Sequence, residues 1–150
     1  MNFSMKTFFT CCTLFFLVNL NAQTSPISGF WDGFLTLNGQ RYTIEIHINV
    51  EEGGQLNGFT SVSLPTGKAV EMKINGKVHF DRSVTVREFS IVNEEELQDV
   101  QWYKKNFQLT FKRDLWETTL EGYWQEQIPQ VIDERTKKGQ VFLKKREVKA

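Results

Sequence analysis

The chain has 150 residues, 40% of them hydrophobic and 24% charged, and its 18 basic and 18 acidic side chains cancel. That balance does not suggest a nucleic-acid partner, and none is expected. The length is enough for one ordinary core, and the apolar fraction is too high for a disordered chain.

Lys6 is followed by an apolar run from Thr7 to Leu20 and then by Asn21, Ala22 and Gln23. A short apolar run behind a basic residue, ending in polar and small residues, reads as a secretory signal peptide over residues 1–22, cleaved after Ala22. It is shorter than the ~20 apolar residues of a membrane-spanning helix. Both cysteines, Cys11 and Cys12, fall inside it, so the exported domain, residues 23–150, is expected to have neither thiol nor disulfide. Phe8, Phe9 and Thr10 do not form a lipobox ahead of Cys11, so no lipid anchor is expected. The predicted location is the periplasm or the extracellular space.

From there onward the apolar residues alternate, as in Tyr42, Ile44, Ile46, Ile48, Val50 and in Val70, Met72, Ile74, Gly76, Val78, Phe80. Period two means strands with one buried face. Strands are expected over 28–37, 41–50, 55–64, 69–80, 83–92, 105–113, 117–126 and 139–145. Most are separated by turn residues such as Asn38-Gly39-Gln40, Glu51-Glu52-Gly53-Gly54, Pro65-Thr66-Gly67-Lys68 and Asp81-Arg82. Short connections make sequential strands antiparallel neighbours, which predicts a single all-β domain, an eight-stranded up-and-down barrel. The two long connections, 93–104 and 127–138, are both odd-numbered and therefore share one end. This end is predicted to carry lids, and the other to be closed by tight turns. Gly33, Gly58, Gly76 and Gly122 fall on the apolar register, where they relieve crowding inside a narrow barrel and let a facing aromatic fit, so the apolar face is read as the inside and a membrane-spanning barrel is not expected.

The first strand opens Ile27-Ser28-Gly29-Phe30-Trp31, and further short motifs follow at Gln55-Leu56-Asn57-Gly58, Ile74-Asn75-Gly76 and Leu120-Glu121-Gly122-Tyr123-Trp124. In these the chain resembles the lipocalin and avidin-like barrels. The resemblance implies that Trp31 plugs the closed end, with a basic residue of the last strand, Lys144, Lys145 or Arg146, stacked across it; Lys145 is the choice here. Thr60 and Val62 stand where avidins hold a ureido ring through tyrosine and serine, so biotin binding is not implied.

At the lidded end the inward residues are Leu37, Tyr42, Val62, Leu64, Val70, Met72, Phe107 and Trp124, with Trp102 and Tyr103 in the long connection above. They make an apolar cup, which either fills the barrel solidly or holds one small ligand. Glu88 points inward if the register of Val84 and Val86 continues, and outward if a bulge near Arg87 returns Phe89 and Ile91 to the inside. The expected ligand-binding set is Tyr42, Val62, Met72, Glu88, Trp102, Phe107 and Trp124. His47 and His79 lie on polar registers without partners for a metal, and no nucleophile, phosphate loop or acid-base pair is evident, so neither a cofactor nor an enzyme is expected. Phe30, Phe34, Phe59, Tyr123 and Phe142 face outward, either as an interface or beneath the segment Thr24 to Ile27. The leading expectation is binding of a small apolar molecule at the lidded end. The alternative is a protein-interaction or inhibitor module that uses the barrel as a platform for its two long connections.

Overall fold

The computed structural model describes residues 24–127 and 137–147; the signal peptide expected over 1–22 and most of the connection 127–138 lie outside them. Eight strands form: β1 (Gly29–Leu37), β2 (Gln40–Val50), β3 (Gln55–Ser63), β4 (Ala69–Val78), β5 (Ser83–Ile91), β6 (Lys105–Arg113), β7 (Thr118–Glu126) and β8 (Lys138–Lys145). Each pairs antiparallel with the next and β8 pairs with β1, which closes the barrel. The β1–β2 connection is the tightest: Asn38 and Gly39 both take positive φ, 52° and 77°, the geometry that suits a two-residue hairpin to strand twist.

The registers fix the bore. Followed from Val50 through Leu56, Gly76, Val86, Phe107, Trp124 and Gly139, and on to Leu37 by extending the Leu35–Val141 register two residues, the ring returns to β2 at Gln40, ten residues from its start. Strands with this stagger are steeply tilted, and eight of them leave an interior that side chains just fill. Ile44, Ile46, Ile48, Leu56, Ile74, Val84, Leu109, Leu120 and Leu143 fill it with Trp31, Phe107 and Trp124. Charged side chains such as Lys73, Lys77, Lys112 and Arg41 are exposed on the outer wall.

Three details differ from what the alternation alone suggests. β4 stops at Val78, because His79 to Arg82 form a turn in which Arg82 takes φ 67°; Phe80 therefore leaves the apolar register and is fully exposed. The inward glycines answer to backbone rather than to facing aromatics: a Cβ on Gly33 or Gly122 would run into the carbonyl of Phe142 or Gln108 on the adjacent strand. Among the outer aromatics Phe30, Phe59 and Tyr123 stay exposed. Ile27, before β1, packs beneath the barrel and its carbonyl accepts the Trp31 indole N–H at 2.9 Å.

Candidate functional site

Extending the alternation of β6 one step before Phe107 brings Lys105 into the barrel, where only 1% of its surface is exposed. Glu88 enters from β5 and is completely buried. A bulge exists, but it lies just after Glu88: Ile74 pairs with Glu88 while Lys73 pairs with Ser90, so Phe89 is the extra residue. This one-residue displacement keeps Glu88 inside and also returns Ile91 to the inside, opposite Met72. The inward reading of Glu88 therefore holds, and of the outward reading only the return of Ile91 does, since Phe89 stays 44% exposed.

A carboxylate removed from water needs donors, and Glu88 has three. The Thr60 hydroxyl donates to Oε1 at 3.1 Å, the Lys105 backbone N–H to Oε2 at 2.9 Å, and the Trp102 indole N–H to Oε2 at 3.4 Å. Burial nevertheless outweighs these bonds and the attraction of Lys105, and holds the Glu88 carboxyl above its ordinary range. The Lys105 ammonium donates to the Tyr103 carbonyl at 2.9 Å and lies 3.4 Å from the ring centre of Trp102 and 5.1 Å from that of Trp124. Burial pulls it down from 10.5 to about 8, against the attraction of Glu88 and Glu126. Gln127 ties the two strands from outside the pair, its side-chain amide donating to the carbonyls of Glu88 and Lys105 at 2.8 and 3.1 Å.

The β5–β6 connection covers this pair. Leu97 is buried against Val70 and Met72, and Trp102 joins that small cluster to the main core. The lid is pinned by Asn93, whose amide donates to the Ala69 carbonyl at 2.8 Å and accepts from the Glu71 N–H at 3.1 Å, and by Lys68, which donates to the Glu96 carbonyl at 3.1 Å.

Of the expected ligand-binding residues, Val62, Met72, Glu88, Phe107 and Trp124 are buried in the barrel, Trp102 is half-buried as its cover, and Tyr42 stands at the rim with its hydroxyl near Gln40. Trp124 turns its indole N–H to the Thr36 carbonyl at 2.8 Å. Lys105, Thr60 and Gln127 complete the polar cluster and were absent from the expected set. The parity of Phe107, Leu109 and Phe111 contains the signal for Lys105; Thr60 shares the parity of Leu56 and Val62, and nothing in the local sequence singles out Gln127.

At the opposite end Trp31 is fully buried, and Lys145 lies over its ring at 5.6 Å while donating to the Pro26 carbonyl. Lys144 pairs outward with Glu117 and Arg146 with Asp32, so among the three basic residues Lys145 is the one turned to the tryptophan. The outer aromatics form two rows. His47 stacks on Phe30 and faces Phe59 across the β2–β3 pair, while Phe34 stacks on Phe142. Four clefts among the described residues open on the outer wall or at its lower edge. Among the described residues no three histidine, cysteine or carboxylate side chains cluster as metal ligands, and no helix is long and apolar enough to cross a membrane. No protein-family model, curated protein or solved structure matches this chain.

Proposed function

We propose that this is an exported, non-enzymatic binding barrel that takes one small ligand, apolar in body and carrying an acidic or hydrogen-bond-accepting head, beneath the β5–β6 connection. The observation that carries this reading is the Glu88–Lys105 pair set in an otherwise apolar interior, covered by the half-buried Trp102 of the β5–β6 connection. Two buried ionisable groups cost stability that a purely apolar core would keep, which makes them candidates for retention by function. Glu88 already accepts from three donors, whereas the Lys105 ammonium donates one hydrogen bond among the described residues. The ammonium is therefore the group with capacity for a ligand acceptor. A ligand entering where Trp102 lies would stack its body on Trp124 and Phe107 and place its head on Lys105.

Titration with a polyene fatty acid tests this, because its fluorescence rises in a dry site and it quenches nearby tryptophan. One saturable site is expected, weakened at least tenfold in Lys105→Met. Absence of saturable binding, together with a native mass spectrum free of any bound compound, would refute the reading. The interaction-module alternative is favoured by a different observation, the groove of about 290 Å³ lined by Phe30, His47, Phe59 and Val92 on the outer wall. The β5–β6 connection gives it less support, since Leu97 and Trp102 are turned into the barrel rather than displayed.

A further inference from the structure

Two of the three even-numbered connections, at the end away from the Glu88–Lys105 pair, present apolar side chains where turns normally carry small or polar ones. In the β6–β7 connection the Asp114 carboxylate accepts from the backbone N–H groups of Trp116 and Glu117 at 2.7 and 2.8 Å. The Asp114 N–H returns to the Glu117 carbonyl at 3.1 Å. This rigid turn holds Leu115 and Trp116 94% and 87% exposed. The neighbouring β4–β5 connection presents Phe80, and is tied to β6 by the Phe111 N–H donating to the Arg82 carbonyl at 2.9 Å. Large apolar side chains held nearly free of the protein are points rather than a patch. A protein partner would need a matching pit for each, whereas a lipid headgroup layer admits them without one, and tryptophan favours that layer.

Charge at the same place supplies the second observation. A cleft of about 540 Å³ beside Trp116 is lined by Arg113, Lys144, Lys145 and Arg146 together with Asp114, Glu117 and Glu147. Asp114 is consumed by its own turn and Glu117 pairs with Lys144. Arg113 and Arg82 form no ion pair among the described residues. Arg113 also faces Lys145, whose ammonium is pulled below its ordinary value by burial and then by that guanidinium. Like charges held together in a cleft are relieved by an anion. Asp81, between Phe80 and Arg82, accepts from the Ser83 N–H and hydroxyl within its own turn, and Glu51 and Glu52 sit on the β2–β3 connection, on the other side of the ring, so Arg82 and Arg113 are the cations this side presents without an ion pair among the described residues.

We propose that the closed end docks, tilted onto its β4–β7 side, on an anionic phospholipid surface, with Phe80, Leu115 and Trp116 entering the headgroup layer and Arg82 and Arg113 meeting lipid phosphates. The inference is independent of the ligand reading, since it uses none of its residues.

Sedimentation of the chain from Gln23 onward, which contains every strand of the closed barrel, with vesicles tests it. Wild type is expected to partition onto mixed phosphatidylcholine and phosphatidylglycerol vesicles and to be released by salt. Leu115→Ser with Trp116→Ser should weaken binding at least about tenfold. Arg82→Gln and Arg113→Gln should each weaken it about fivefold. The tryptophan emission lost in Trp116→Phe should shift to the blue on vesicles, a readout made on a substitution that leaves the turn intact. Unchanged binding in the serine variant, equal binding to phosphatidylcholine alone, no binding at all, or a dimer that dissociates when Leu115 and Trp116 are replaced would each overturn the proposal.

Discussion

Replacing Lys105 by methionine tests whether an ammonium is truly held inside this barrel. The side chain is 1% exposed, and its proton is released at about 8 in the folded chain against 10.5 ordinarily. Below pH 8 both folded and unfolded chains carry the proton and the full cost of burying it is present. Between about 8 and 10.5 the unfolded chain binds more protons, so stability rises with pH. At 1.36 kcal/mol for each pKa unit this one group contributes a rise of about 3 kcal/mol across that window. Glu88 acts with the opposite sign, because its raised folded value makes stability fall as pH rises through it. The comparison is therefore made in a Glu88→Gln background, with and without Lys105→Met. Removing the carboxylate removes the attraction that raises Lys105, so its release moves further down and the rise is about 3 kcal/mol or more. Urea unfolding at pH 7 to 11 measures both chains, and their difference cancels every other titrating group. Parallel stability curves would show that Lys105 is solvated in solution and would remove the chemical basis of the proposed ligand site.

Glu88→Gln alone should cost about 1–3 kcal/mol at neutral pH, because an amide N–H then opposes one of the donors that the carboxylate accepts, and a double-mutant cycle with Lys105→Met should be clearly non-additive. Additivity would show that the two groups do not sense each other. Gly33→Ala should cost more than about 4 kcal/mol, since its Cβ meets the Phe142 backbone, whereas Gly39→Ala, at φ 77° with open space around it, should cost about 1 kcal/mol. Similar losses on chemical denaturation would mean that β8 yields to the added methyl. Asn93→Ala unpins the lid, and amide exchange over residues 92–104 should quicken about tenfold while the strands keep their protection. An unchanged rate would place the hold on the lid in Leu97 and Trp102 instead.

Alternation and turn chemistry alone determined the strand order, the antiparallel pairing, the closed ring and the inside face. Each follows from a local rule: side chains alternate every residue, and short connections leave no choice of neighbour. The inward positions of Val62, Met72, Phe107 and Trp124 were legible for the same reason, and Lys105 was equally legible had its parity been extended by one step. Glu88 was not, because a single unpaired residue anywhere near it reverses its side, and only the partner strand shows that the bulge comes at Phe89. The lid was not legible either. Its placement rests on contacts of Leu97 and Trp102 with β4 and the barrel core, and on Asn93 reaching Ala69 and Glu71, all between residues distant in sequence. Periodicity reports which way a side chain points from its own strand. What that side chain meets is decided by closure, which brings Thr60, Glu88, Trp102 and Lys105 from separate elements into one dry volume where their charges and hydrogen bonds depend on one another.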